Sequence, residues 1–339
     1  MQNSGPVIPI LYIKHRVCST FNSNEGAVKS MNRRFTLQWE ITKNDDGKLL
    51  KQFLQEQNIS KTALTDIKFR GGALLVNGQH VTVRHKLQAG QTLTVIFPEE
   101  TPAPGLKGEP VPLQIVFEDE VLLVINKPPF VSTIPSREHP TGSLANGLVH
   151  YYKNIGICSS PHIVTRLDRN TSGLVLVAKY RHIHHLFSLQ QQKNKIYREY
   201  EAFVEGNLKK AEGTIEAPIA RKENSIIERT VCENGQYACT HYKKIASYPG
   251  FTHVLLHLET GRTHQIRVHM AHIGHPLVGD DLYGGSTKLI GRQALHCRRL
   301  KFWHPANGEC MEFTLPLPED MKSLIYKTDQ TSTSHDGKG

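Results

Sequence analysis

The sequence predicts an α+β fold: a mixed, mainly antiparallel sheet with helices on its faces, preceded by a small N-terminal α/β module. Three observations lead there. From Leu113 onward strand-like runs outnumber helical ones and short loops join them, which disfavours a regular βαβ array. Residues 45–97 form a separate unit of two helical stretches and a hairpin. Pro98 to Pro112, rich in Pro, Gly and Glu, divides the two and reads as a semi-extended linker.

Composition narrows the function classes. The chain has 339 residues, with 41 Lys plus Arg against 31 Asp plus Glu, a net +10 that suits a polyanionic partner. The apolar runs Val121–Ile125 and Leu174–Ala178 are strand-length, far short of the ~20 residues a bilayer requires, so no membrane partner is expected. Six scattered cysteines include no C-x-x-C pair, which argues against a disulfide framework and a zinc knuckle. A reducing cytoplasm is the simplest setting.

Residues 1–44 read as an N-terminal extension, with Met31 a candidate natural start. Leu49, Leu50, Phe53 and Leu54 recur at helical spacing. Ser60 is a candidate N-cap for a second helix bearing Ala63, Leu64 and Ile67 inside and Lys61, Lys68 and Arg70 outside. Leu74-Leu75-Val76-Asn77-Gly78-Gln79 reads as a strand entering an Asn-Gly turn. Val81 and Val83 alternate after it, and Leu93 to Phe97 closes the unit. Within 113–320, strands are expected at Ile115–Glu118, Val121–Asn126, Gly173–Ala178, Tyr200–Glu205, Ala238–Ile245 and His253–Glu259. Helices are expected near Ser143–Tyr152, Arg181–Lys193 and Thr263–Ile273. Residues 321–339, ending in a Ser/Thr/Lys/Gly-rich stretch, are expected to be a disordered tail.

Three segments carry candidate chemistry. In Thr165-Arg166-Leu167-Asp168-Arg169-Asn170-Thr171-Ser172-Gly173, a carboxylate flanked by two arginines precedes an apolar strand. On its own, Asp168 could equally cap a turn. In Glu259 to His272, helical spacing turns Ile266, Met270 and Ile273 inward and carries Arg267 close to the core, where a guanidinium demands a carboxylate; Asp168 is the expected partner. The histidines 264, 269, 272 and 275 invite a metal, but no H-E-x-x-H pattern or nearby Cys or Glu completes a ligand set. In Lys195 to Gly206, Tyr200 opens an alternating strand, where spacing alone favours a structural role.

Together these segments resemble the RluA family of RNA pseudouridine synthases. Arg166 to Gly173 matches its R-L-D-x-x-T-S-G loop, and Thr260 to Arg267 matches its T-G-R-T-H-Q-I-R run in full. Arg198-Glu199-Tyr200 with Val204-Glu205-Gly206 matches a third motif. Shorter matches are Asn126-Lys127-Pro128, Gly274-His275-Pro276, Gly279-Asp280, Tyr283-Gly284 and Leu295-His296. The resemblance spans about 113–318. Thr165 departs from a His, Phe130 from a Gly and Ile134 from a His that many members carry there. Residues 45–97 resemble an S4-type RNA-binding module; a plain α/β cap with solvated lysines is the alternative.

The resemblance implies a pseudouridine synthase sheet and isomerisation of uridine to pseudouridine in structured RNA, without cofactor or metal. Ribosomal RNA is favoured, with transfer RNA the other candidate. Asp168 would be the catalytic carboxylate, as nucleophile or base. Arg267 would pair with it, and Tyr200 would stack on the uracil and assist proton removal at C5. Leu295 would supply an apolar wall, and Arg166 would fill the vacated base stack. Lys61, Lys68 and Arg70 would contact RNA through the S4-like module. The rivals are an inactive RNA-binding protein and, further off, a metal-dependent hydrolase. A monomer is expected.

Overall fold

The computed structural model describes residues 34–333. Met31 and most of the expected extension lie outside them.

The N-terminal module joins β1 (Thr36–Glu40), α1 (Leu50–Glu56), α2 (Lys61–Phe69), β2 (Ala73–Val76), β3 (Gln79–His80) and β4 (Thr92–Ile96). Its antiparallel sheet runs β1-β4-β2-β3. Alternation buries Leu37, Trp39, Leu74, Val76, Leu93 and Val95 against Leu50, Phe53, Leu54 and Ile67 of the helices. The Ser60 hydroxyl caps α2 by accepting the Ala63 N–H at 3.1 Å. Asn77 and Gly78 both hold positive φ, 48° and 81°, as a two-residue hairpin turn with right-handed strand twist requires.

Two expectations need correction here. Residues 36–40 belong to the module's sheet rather than to an extension: one short strand, with only Leu37 and Trp39 buried, left a weak pattern. Val81 and Val83 form no strand, because the chain leaves β3 after two residues and the His85 carbonyl instead receives the Leu50 N–H that opens α1.

Pro98 to Pro112 has no regular structure, but it is a packed strap rather than a free spacer. The Glu109 N–H donates to Asn146 O, the Asn146 amide donates to Lys107 O, and the Glu109 carboxylate accepts the Gly142 N–H. Proline removed the sheet option without removing these polar anchors. The module itself docks through Phe35 stacked on Tyr180, Phe97 stacked on His182, and Arg181 on Asp66 at 3.3 Å.

The larger part follows as β5 (Ile115–Glu118), β6 (Leu122–Lys127), α3 (Leu144–Asn154), β7 (His162–Ile163), β8 (Ser172–Ala178) and α4 (Arg181–Gln192). Then come β9 (Tyr197–Glu205), β10 (Glu212–Glu216), β11 (Ile219–Arg221), β12 (Arg229–Val231), β13 (Cys239–Tyr248), β14 (Phe251–Leu258) and α5 (Gln265–His272). β15 (Leu295–Trp303), β16 (Cys310–Thr314) and α6 (Glu319–Thr333) complete it. A ten-stranded sheet runs β10-β13-β14-β9-β15-β8-β6-β5, with β16 added to β15 and β7 to β8. β11 and β12 form a separate hairpin. Among the sheet's pairings only β15 with β8 is parallel.

The tail beyond 320 also differs from expectation. It continues as α6, in which Met321 and Leu324 bury beside Phe203, Phe251 and Val278, while Asp320 receives the Arg292 guanidinium at 2.6 and 2.9 Å. Met321, Leu324 and Ile325 keep an i, i+3, i+4 spacing that the polar composition hid. No helix among the described residues is long and apolar enough to cross a membrane.

The parallel pairing positions the site. His296 and Cys297 lie beside Ser172 and Gly173, while on the other edge Cys297 pairs with Tyr200. The Asp168 loop, Tyr200 and Leu295 therefore meet at one end of three adjacent strands. Gly173 permits this approach. Its φ is +116°, and a Cβ built there would lie 2.3 Å from the Cys297 carbonyl oxygen. Gly173→Ala is expected to cost roughly 2–5 kcal/mol from backbone strain and overpacking, measured by urea unfolding. An unchanged midpoint would show that β8 and β15 can separate freely.

Candidate active site

The loop between β7 and β8 presents Asp168 and is tied from several directions. The Thr133 hydroxyl donates to Leu167 O at 2.7 Å and accepts the Leu167 N–H at 3.2 Å. The Gln293 amide donates to the Thr171 hydroxyl, and the Thr171 N–H donates to Asp168 O. The fully buried Lys127 ammonium donates to the carbonyls of Pro128, Val131 and Arg169 at 2.9, 2.8 and 3.1 Å. Burial lowers the Lys127 pKa to about 7, while the nearby Asp168 carboxylate opposes that fall.

The Asp168 carboxylate is only partly exposed. Its Oδ2 lies 3.4 Å from Arg267 Nη1 and 3.9 Å from His264 Nε2. The expected pair is therefore present, but Asp168 is not the principal partner of Arg267. Arg267 Nε and Nη2 grip the fully buried Asp280 at 2.7 and 2.8 Å, and its Cζ stands 4.9 Å over the Tyr283 ring. One fork of the guanidinium is anchored in the core, and the free Nη1 faces Asp168. The Tyr283 hydroxyl in turn meets His264 Nδ1 at 2.8 Å and accepts the Arg229 N–H at 2.9 Å. His264 has φ 57°, an uncommon conformation for a residue with a side chain. Burial lowers its pKa and so favours the neutral ring, with Asp168 opposing.

Tyr200 is buried on β9, its phenol against the Cys297 thiol. Burial pushes the phenol well up and the thiol up to about 12. A recess of about 60 Å³ is lined by Arg166, Asp168, Arg198, Tyr200, Arg267 and Leu295, among others. It adjoins a cleft of about 1220 Å³ whose walls carry Arg137, Arg166, Arg169, Arg198 and Arg262. The exposed Ile226 and Ile227 line this cleft too, between β11 and β12.

Five of the expected site residues thus converge: Asp168, Tyr200, Arg267, Arg166 and Leu295. Lys61, Lys68 and Arg70 do not. Lys61 and Lys68 lie exposed on α2 and Arg70 caps its C-terminal end; none of them lines either cavity, and Arg70 faces Asp66 at 3.3 Å while Lys68 lies over the Phe69 ring. Sequence reasoning gave no role to Asp280, Tyr283 or Lys127, although each fell in a short matched motif. Phe130, at the departure from Gly, takes φ 67° and stays half exposed, so a bulky side chain occupies a backbone position suited to Gly.

Among the described residues, the four histidines in and around α5 form no cluster of metal-ligating atoms. Both nitrogens of His269 are engaged, by the Thr240 hydroxyl and the Ala217 carbonyl, while His264 meets Tyr283 and His275 meets the Glu205 carbonyl. The metal-hydrolase reading loses its ligand set.

Comparison with known proteins agrees with this geometry. Residues 121–272 match the family model described as RNA pseudouridylate synthase. The chain is 54% identical over 276 residues to the uncharacterized RNA pseudouridine synthase YjbO of Bacillus subtilis (strain 168), covering 81% of this chain and 98% of that one. It is 40% identical over 256 residues to the ribosomal large subunit pseudouridine synthase D of Haemophilus influenzae, covering 71% and 78%. Among solved structures, human RNA pseudouridylate synthase domain containing 1 superposes with a TM-score of 0.51 at 25% identity, covering 66% of this chain and 96% of that one. On the strength of these relatives, the chain belongs to the RluA family of RNA pseudouridine synthases, and it is an isomerase.

Proposed function

We propose that this enzyme isomerises specific uridines of ribosomal RNA, with Asp168 as its catalytic carboxylate and no cofactor. The observation that carries the reading is the Asp168 carboxylate in an arginine-walled cleft, 3.4 Å from an Arg267 that Asp280 holds in place. The name of the Haemophilus relative supports ribosomal over transfer RNA. A ribosomal substrate would put the enzyme in the cytoplasm.

In the reaction the N1–C1′ bond of uridine breaks, the uracil turns, and a C5–C1′ bond forms. C5 loses a proton and N1 gains one, so nothing is oxidised and no water is consumed. Asp168 acts at the sugar as nucleophile or base, and Arg267 Nη1 orients it. The raised phenol pKa keeps Tyr200 neutral. That favours packing against the base, together with Leu295, over direct proton abstraction by a phenolate. The target must leave its stack first, at a few kcal/mol, and the exposed Arg166 is suited to fill the gap. Ribosomal RNA transcripts tritiated at uridine C5 test the reading: the purified protein releases tritium from them. No release from ribosomal transcripts, with release from transfer RNA, would move the substrate; no release from either would defeat the proposal.

Two helices, a hairpin and an exposed basic α2 support an S4-like role for residues 45–97. Replacing Lys61 and Lys68 together by Ala should weaken RNA binding and reduce the salt slope by roughly 0.7–0.9 for each phosphate no longer neutralised, with kcat unchanged. Filter binding across a salt series reads this, and an unaltered slope would leave α2 a plain solvated face.

A further inference from the structure

Cys239, His241 and Glu259 form a second chemical centre beside the cleft. Two residues apart on β13, Cys239 and His241 share a face of the sheet. Thr240 pairs with Leu258, so the next position along sets Cys239 opposite Glu259, whose N–H reaches the Cys239 carbonyl at 3.3 Å. One donor atom from each lies within 4.8 Å of the other two. His241 Nε2 is 2.7 Å from Glu259 Oε1 and 3.7 Å from Cys239 Sγ.

We propose that these three side chains bind a thiophilic divalent ion of the zinc class. Zinc takes sulfur at ~2.3 Å and nitrogen or oxygen at ~2.0–2.2 Å in a tetrahedron, which sets neighbouring donors roughly 3.3–3.7 Å apart. The sulfur–nitrogen spacing already fits. Only the exposed Glu259 carboxylate has to step back from the imidazole.

The surroundings suit an ion better than a plain His–Glu pair. The Thr214 hydroxyl on β10 sits 2.9 Å from His241 Nδ1, and a hydrogen bond there directs the Nε2 lone pair toward the other donors. The His257 ring stacks alongside at 5.9 Å. Cys239 is fully buried, whereas the His241 and Glu259 side chains are 38% and 42% exposed, so a fourth position is open to water. Binding displaces the thiol proton to solvent, so affinity rises with pH. Glu259 leads directly into Thr260-Gly261-Arg262 on the cleft wall, and a bound ion would pin that turn.

Cobalt(II) alone, added to the reduced full-length protein, tests the assignment. The expected result is a sulfur-to-cobalt charge-transfer band that saturates at one equivalent and is displaced by zinc. Cys239→Ser abolishes the band, and His241→Gln or Glu259→Gln weakens binding by more than about tenfold. Cys310→Ser, which alters an exposed thiol elsewhere, leaves it intact. Circular dichroism shows which variants are folded. The proposal is overturned by a wild-type protein without the band, or by a band that survives in folded Cys239→Ser.

Discussion

Asp168→Asn abolishes tritium release, with a loss of at least about 10⁴-fold in rate, while the protein still binds ribosomal RNA at close to its normal affinity. The asparagine amide is nearly isosteric, but it is neither a nucleophile nor a base at the sugar. Folding should change little, because Arg267 keeps its principal carboxylate. The fork on Asp280 is formed at 2.7 and 2.8 Å, whereas the contact to Asp168 is 3.4 Å and partly exposed. Removing one negative charge from an arginine-lined cleft also leaves its attraction for phosphates intact. Rate and binding should therefore separate. A variant that releases tritium at the wild-type rate refutes the assignment of Asp168, and one that fails to fold shows the carboxylate to be structural.

How much of this was legible in sequence depended on the range over which each cause acts. Helix α2 was legible because Ser60 caps it and its apolar spacing is local. The Asn77-Gly78 turn was legible because both residues tolerate positive φ. Asp168 and Arg267 stood out because long motifs carry them, Tyr200 only through a short third match, and the sheet then gathers the three through β15. The Arg267–Asp168 pair was legible, but the tighter partner of Arg267 was not, because pairing across a turn follows no periodicity. Asp280 lies thirteen residues past Arg267, beyond the end of α5, and only the path of the chain brings them together. β1 and α6 were missed for a related reason: one is five residues long, and the other hides three core contacts among Ser, Thr and Lys. The Pro-rich strap was misjudged because proline content reports the absence of ladder bonds, not the absence of packing.

The anchoring of Arg267 has a consequence larger than its distance from the substrate suggests. Asp280→Asn should destabilise the protein by about 3–5 kcal/mol, because it leaves a buried guanidinium facing a neutral amide. It should also lower kcat, since Arg267 Nη1 is no longer held toward Asp168. Stability and orientation are separable by a second variant. In Asp280→Leu combined with Arg267→Met, apolar packing replaces the buried pair, which recovers stability in comparable cases yet leaves Asp168 without a cation. Urea unfolding should then find the double variant folded, while single-turnover tritium release finds it slow. Activity restored along with stability would show that the pair only supports the fold and that Asp168 needs no cation beside it. If Asp280→Asn instead kept both stability and rate, the Tyr283 ring and the packing of α5 would suffice to hold the guanidinium.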